Sequence, residues 1–371
     1  MLEKLNSRTL DYSKRNLHYS NGLYDFSSND YLGFSRSEEL KSLIAEAVAM
    51  YPSALLGATG SRLLSGNSEF AEELEKEIAG YHKVENGLLF NSGYAANTAL
   101  FSSLPQKGDK VICDEYIHAS VIDGVRLSYA QRLKFRHNDL EDLEKKLKLA
   151  SGVCYVAVES VYSMDGDLAD LLSIAALCQQ YEAHLVVDEA HALGVFGTGL
   201  VDQLEIQSLV FARIMTFGKA LGLHGSIILG TDILRDYLIN FARPFIYSTA
   251  APFAHYLSLQ VAYKYLLRKQ DLQEILLHKS LLLVDNMPPK AQLTSSSNSI
   301  AIHSVFAQNN HQAIAFSKYL QNNGFDVRAI RSPTVPAGKE RLRICLHIHN
   351  SDQEILELCY HLHQLNSDYY V

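Results

Sequence analysis

The feature that most constrains this chain is a succession of short apolar segments alternating with helical patterns across its first two thirds. Strands are expected near Gly87–Phe90, Lys110–Asp114, Arg132–Phe135, Val153–Glu159, His184–Asp188, Val210–Thr216 and Ser226–Gly230. Helical periods lie between most of them, the clearest over Leu168–Glu182. Strands apolar on both faces and separated by helices predict a mainly parallel sheet covered on both sides. In such a sheet ligands collect beyond the carboxyl ends of the strands, so the residues following each strand carry the functional reading.

Those residues are chemically distinctive. After Phe90 comes NSGYAAN (Asn91–Asn97), a Ser-Gly turn opening a helix. Such a turn is either a plain cap or a seat for phosphate. After Asp114 comes EYIHAS with His118, and after Glu159 comes SVYSMDGD with Ser163 and Asp165. The strand HLVVD ends in Asp188, with His191 three residues on, and the next strand ends in Thr216 before Lys219. Lys219, in IMTFGKALGLHG, sits among glycine-containing turns, and a partly desolvated lysine there is a natural Schiff-base former. Alone it is more often a structural lysine with a buried stem. Asp188 closes an apolar strand, and a buried carboxylate is costly unless it meets a positive group, such as a protonated pyridine nitrogen.

Upstream, SSNDYLG (Ser27–Gly33) is turn-rich, and a helix is expected to start at Ser37. The Gly/Ser loop GATGSRLLSGNS carries Arg62, and Asn67 or Ser68 caps the next helix. Beyond residue 231 helices are expected at Ile233–Phe241, Phe253–Leu267 and Leu272–Val284. A hinge at Pro288-Pro289 and Ser295–Ser297 leads to strands at Ser299–His303, Asp326–Ala329 and Arg341–His347, with helices near Gln312–Asn322 and Gln353–Leu365. The expected division is an N-terminal segment 1–40, a large domain 41–285 and a small α+β domain 286–371.

At 371 residues the chain can bury a large core, and its net charge of −8 argues against a nucleic-acid surface. Asp188–His191 spells D-E-A-H, but the G-x-x-x-x-G-K-[ST] loop that a nucleic-acid ATPase requires is absent. No apolar run approaches the ~18 residues of a membrane span, and the N-terminus lacks a signal-peptide core. Five cysteines without C-x-x-C pairing read as reduced thiols, no metal site is expected, and the expected compartment is the cytoplasm.

The set SSNDYLG, GSRLLSGN, NSGYAAN, HAS, ESVYSMDGD, VVDEAHALG, TFGKALG, RPFIYST and SPTVPAGKERLRI resembles the α-oxoamine synthases nearly end to end. These are pyridoxal 5'-phosphate (PLP) enzymes of fold type I, the aspartate-aminotransferase-like α/β fold. That fold has a large seven-stranded, mainly parallel sheet domain and a smaller α+β C-terminal domain. The resemblance implies that Lys219 holds the cofactor and moves the substrate's α-proton, that Asp188 pairs with the pyridinium nitrogen, and that His118 stacks on the ring. His191 and Ser163 would lie by the ring hydroxyl. Gly93, Tyr94 and Thr216 would hold the phosphate, with Ser248 and Thr249 reaching a neighbouring subunit's phosphate in a homodimer with shared sites. Arg343 would grip the amino-acid carboxylate, with Thr334, Arg15 and Asn29 near the substrate. The phrase AIRSPTVPAGKERLRICL points to the member that condenses L-alanine with a pimeloyl thioester, on coenzyme A or acyl carrier protein, in biotin synthesis. The alternative is a sister synthase using a different amino acid or thioester. The sequence departs from the family at Leu193, at His224 and at LHIHN (Leu346–Asn350), where a Thr-Ala-x-His ending is usual.

Overall fold

The computed structural model describes residues 1–17, 19–20, 22–269, 271–288 and 300–369. Its strands, in chain order, are β1 (Tyr24–Asp25), β2 (Asn86–Phe90), β3 (Lys110–Asp114), β4 (Gln131–Phe135), β5 (Cys154–Glu159) and β6 (His184–Asp188). They continue with β7 (Ala212–Thr216), β8 (Ser226–Gly230), β9 (Ile302–Phe306), β10 (Phe325–Asp326), β11 (Arg328–Ile330) and β12 (Arg341–Cys345). The chain divides into two compact units. The larger comprises Phe34–Tyr162 and Leu168–Gln270; the smaller comprises Met1–Gly33, Ser163–Asp167 and Asp271–Val371.

The larger unit is built on a seven-stranded sheet ordered β2-β8-β7-β6-β5-β3-β4. All seven strands lie within two residues of where the apolar periodicity predicts them. β8 pairs antiparallel with both neighbours and the remaining pairs are parallel, so the sheet is mainly parallel, as expected. Successive residues alternate between two cores. Val111, Cys113, Tyr155, Ala157 and Val186 enter one, with Ala96, Leu100, Val121 and Leu234 from helices Gly93–Ser103, Ala119–Leu127 and Asp232–Phe241. Ile112, Val156, Val158, Leu185 and Val187 enter the other, with Leu143, Ile174 and Cys178 from helices Leu140–Leu149 and Leu171–Gln180. Each such side chain contributes about 1.5–3 kcal/mol on burial, which requires strands apolar on both faces. The outermost strand β4 instead exposes Arg132, a charge that discourages edge-to-edge pairing.

Polar caps set the helix starts. Ser37 Oγ accepts from Leu40 N–H (3.2 Å) and Ser68 Oγ from Ala71 N–H (3.2 Å), so Ser68 is the cap of helix Glu69–Tyr81. The expected helix from Leu168 starts at Leu171, because Asp170 caps it and Leu168 bridges to Val161.

The smaller unit holds an antiparallel sheet ordered β11-β12-β9 and a two-stranded parallel ribbon of β1 and β10. The strand expected over Asp326–Ala329 divides at Val327. Phe325 and Asp326 pair with β1, whereas Arg328–Ile330 pair with β12. Helices Asn310–Asn322 and Asp352–Tyr369 contribute Phe316, Leu320, Ile355 and Leu358 to the buried set. The expected hinge begins at Pro288; Pro289 and Ser295–Ser297, with the first residue of the expected strand Ser299–His303, lie outside the described residues. All five cysteines are free and buried. No helix among the described residues is long and apolar enough to cross a membrane.

Candidate active site

Strand register brings the chemistry of the larger unit to one edge. Phe90 and Thr216 both pair with Ser226, and Asp188 pairs with Ile214 and Glu159. The segments carrying Gly93, His191 and Lys219 therefore leave the same carboxyl edge. That is where a doubly covered parallel sheet offers a crevice.

Lys219 stands in a loop folded back on itself. Phe217 N–H donates to Gly225 O (3.0 Å), Leu223 N–H to Phe217 O (2.8 Å) and Gly222 N–H to Lys219 O (2.9 Å). Gly222 (φ 62°) and Gly225 (φ 89°) occupy left-handed backbone; a Cβ on Gly222 would lie 2.4 Å from Ser35 N and one on Gly225 would lie 3.0 Å from Phe90 O. The loop leaves Lys219 half-buried, with Nζ 2.7 Å from His191 Nε2.

Asp188 is buried and held by neutral donors: Asn97 Nδ2 gives a hydrogen bond of 2.7 Å to one oxygen and Ala190 N–H one of 3.0 Å to the other. No ion pair to Asp188 forms among the described residues, so its charge awaits a cationic partner. A pyridinium nitrogen has the size, planarity and charge to be that partner, and the residues fit PLP on this ground. His118 caps helix Ala119–Leu127, its Nδ1 2.7 Å from Ser120 Oγ. Burial holds the His118 imidazole below its ordinary value; Asp188 pulls it up and Lys219 pushes it down. A neutral imidazole with an exposed ring is suited to lie against an aromatic ring.

The phosphate end is equally polar. Ser92 Oγ caps helix Gly93–Ser103 by accepting from Ala95 N–H (3.1 Å), while the Gly93 and Tyr94 N–H groups of its first turn have no partner among the described residues. Thr216 Oγ1 lies beside them, 3.5 Å from where a Gly93 Cβ would stand. Ser226 Oγ, across the strand pair from Thr216, is buried with no hydrogen-bond partner among the described residues. The Tyr94 ring is half-exposed and its hydroxyl donates to Asp123. Ser248 and Thr249 line a cavity with Arg62, Asn91 and His255, and Asn91 Nδ2 donates to Thr249 O (3.2 Å).

In the smaller unit Arg343, on β12, is nearly buried. Its Nε donates to Ser163 O (2.7 Å), and its Nη2 to Asn29 Oδ1 (3.0 Å) and Tyr31 Oη (3.3 Å). All these acceptors are neutral, and no carboxylate pairs with Arg343 among the described residues. Ser163 thus meets Arg343 through its carbonyl. Thr334 is exposed and accepts from Arg15 Nη2 (2.9 Å).

Sequence reasoning missed Asn97 and Tyr31, which touch the charged groups directly. It also missed the network behind Asp188, where Arg213 pairs with Glu189 and with Asp202, itself 3.0 Å from His82. The available signal was an arginine inside the apolar strand ARIMT. Glu189, the second letter of D-E-A-H, is thereby a structural ion-pair partner.

Residues 21–362 match the aminotransferase class I and II family. The chain is 41% identical over 360 residues to the 8-amino-7-oxononanoate synthase of Emericella nidulans, covering 89% of this chain and 86% of that one. It is 36% identical to the enzyme of the same name from Lysinibacillus sphaericus, over 86% and 82% of the two chains. Among solved structures, a serine palmitoyltransferase from S. paucimobilis with bound PLP-myriocin aldimine superposes with a TM-score of 0.86 at 26% identity, over 92% and 87% of the chains. The 8-amino-7-oxononanoate synthase of Francisella tularensis gives 0.79 at 27%, over 95% and 100%. The chain belongs to the aminotransferase class I and II family. Its fold is the PLP fold type I that the resemblance to α-oxoamine synthases implied.

Proposed function

We propose that this protein is a PLP-dependent acyltransferase that joins L-alanine to a pimeloyl thioester, releasing carbon dioxide and the thiol and forming 8-amino-7-oxononanoate for biotin synthesis. The observation that carries the reading is buried Asp188, held only by neutral donors, on the edge that also bears Lys219 in contact with His191. The match of nearly the whole chain to 8-amino-7-oxononanoate synthases supports the substrate class.

PLP, when bound, supplies an electron sink that lowers the cost of removing the α-proton and the carboxylate. Lys219 anchors it through Nζ and then carries the proton at that atom; His191, 2.7 Å away, accepts or returns a proton as the amine changes charge. Asp188 keeps the ring nitrogen protonated, and its own position is held by Asn97. His118 would cover the ring face. Gly93, Tyr94 and Thr216 would hold the phosphate through N–H and hydroxyl donors, and Ser248 and Thr249 would reach the phosphate of a partner subunit in a homodimer. Ser163 would hydrogen-bond near the ring hydroxyl. Arg343 would offer its fork to the alanine carboxylate, with Asn29 fixing the fork's orientation and Thr334 and Arg15 near the substrate.

The test is an absorption titration of the PLP-loaded protein with alanine, glycine or serine, followed by pimeloyl-CoA or pimeloyl-acyl carrier protein and mass detection of the product. Alanine-selective formation of 8-amino-7-oxononanoate is expected. Preference for glycine or serine, or no product from either pimeloyl thioester, assigns a sister synthase instead. Failure to bind PLP overturns the reading.

A further inference from the structure

LHIHN is the departure from the family pattern that the reaction leaves unused, and its surroundings in the smaller unit define what His347 must be. His347 is fully buried. Its Nε2 is 3.1 Å from Ser28 O and 3.1 Å from Ser28 Oγ. A carbonyl oxygen only accepts, so Nε2 carries a proton. The Ser28 hydroxyl gives its own proton to Asp25 Oδ2 (2.7 Å), which leaves it an acceptor as well. At the other ring nitrogen, Nδ1 is 3.0 Å from Asn350 Oδ1. The Asn350 amide cannot be turned round: Oδ1 also accepts from His347 N–H (2.9 Å), and Nδ2 donates to Asp25 O (2.9 Å). Nδ1 therefore carries a proton too. An imidazole with hydrogen on both nitrogens is a cation.

The same geometry answers a competing reading. Asp25, His347 and His349 offer ligand atoms within 4.8 Å of one another, as a metal site would. A metal on His347 needs a ring lone pair, and both ring nitrogens point at acceptors. The counterion is Asp25, reached through Ser28. Burial pushes the Asp25 carboxyl up, but the His347 charge and the Ser27 and Ser28 donors outweigh it and hold the carboxyl at about 2.

The cation is coupled to the carboxylate fork by short covalent distances. Ser28 precedes Asn29, whose Oδ1 accepts from Arg343 Nη2 (3.0 Å) and from Tyr31 Oη (3.0 Å). Tyr31 stacks on the His347 ring at 6.4 Å and 19°, and its carbonyl accepts from Ile348 N–H (3.0 Å). A neutral His347 ring would set a lone pair against either the Ser28 carbonyl or Asn350 Oδ1, which binds Asp25 O through its own amide, and the segment carrying Asn29 and Tyr31 would lose one of its two anchors on the ring. We infer that His347 is a positioning residue protonated on both ring nitrogens, which acts through Ser28, Asn29 and Tyr31 to hold Arg343 for the amino-acid carboxylate.

The inference rests on the Arg343 role proposed above. Among the described residues, the charged and titratable groups facing His347 are Asp25 of β1 and the stacked rings of Tyr31 and His349. Lys279 and Asp352 lie behind Asn350. Burial raises Tyr31 far above its ordinary value, so its hydroxyl stays protonated through the alkaline range.

The experiment uses the PLP-loaded, histidine-nitrogen-15-labelled full chain. NMR, with His347→Gln as the assignment control, should find both His347 nitrogens protonated at neutral pH; a pyridine-like nitrogen there overturns the inference, as does zinc binding that displaces a His347 proton. Alanine dissociation constants are then measured for wild type, Asp25→Asn, His347→Gln and Arg343→Lys. His347→Gln should weaken alanine by roughly tenfold, the scale of one misplaced charge-assisted hydrogen bond. Asp25→Asn, which removes the counterion, should weaken alanine in the same direction. Unchanged alanine affinity in His347→Gln alongside a loss in Arg343→Lys overturns the His347 role; unchanged affinity in Arg343→Lys overturns the Arg343 role instead, while the NMR still decides the charge of His347.

Discussion

At the scale of single residues, the energetics of buried charge decide most outcomes. Arg343 is surrounded by neutral acceptors, so a carboxylate brought to it gains a charge-assisted pair. Arg343→Ala should weaken alanine binding by about 1.5–3 kcal/mol in an equilibrium titration. Asp188→Asn preserves the size of the side chain and removes its charge; the turnover rate should fall by roughly a hundredfold or more while PLP still binds. His303 titrates for a different reason. Burial pushes its imidazole down to about 4 from an ordinary 6.5, with Ser280 Oγ 3.1 Å from Nε2. Because the folded value lies below the unfolded one, the unfolded chain takes up the proton first on acidification. Stability is full above the ordinary value and declines as pH falls toward 4, by up to about 3 kcal/mol from this group. His303→Asn should flatten that part of the acid limb in thermal unfolding.

At the scale of elements, the Lys219 loop and β7 depend on features invisible to hydropathy alone. Gly222 abuts the backbone of Ser35, so Gly222→Ala combines a left-handed backbone penalty with a clash. Such a change should lower the unfolding free energy by at least about 1 kcal/mol in denaturant titration, and loosen PLP by displacing Lys219. Arg213 on β7 neutralises Glu189 and Asp202 in the dry side of the sheet. Arg213→Met leaves the buried Glu189 carboxylate without its cation and should cost about 3–5 kcal/mol of stability by the same measurement. The seven strands of the larger sheet were legible because burial on both faces forces long apolar runs. The Asn97 contact to Asp188 was not, because a lone asparagine in a helix looks the same whether its amide meets water or a carboxylate.

At the scale of the whole molecule, the proposed homodimer has a physical motive on the surface of the larger unit. Leu55, Leu56 and Leu64 are 69%, 78% and 86% exposed within one short stretch that also carries Arg62. Light scattering of the PLP-loaded protein should give about twice the 41.5 kDa chain mass, and Leu56→Glu with Leu64→Glu should shift it toward the single-chain value.

What the sequence by itself determined was the layered α/β architecture and the candidate residues of the site. Strand and helix periods follow from which side chains must leave water, and Lys219, Asp188, His118 and Arg343 stand in motifs that resemble those of the family. Tertiary structure alone decided who partners whom. β1 finds β10 across about three hundred residues, splitting an expected strand at Val327, and Glu189 meets Arg213 rather than a nucleotide-bound metal. His347 becomes a cation only because Ser28 O and Asn350 Oδ1 converge on its two nitrogens. Charge state and pairing depend on distances between residues remote in the chain, and local sequence carries no record of those distances.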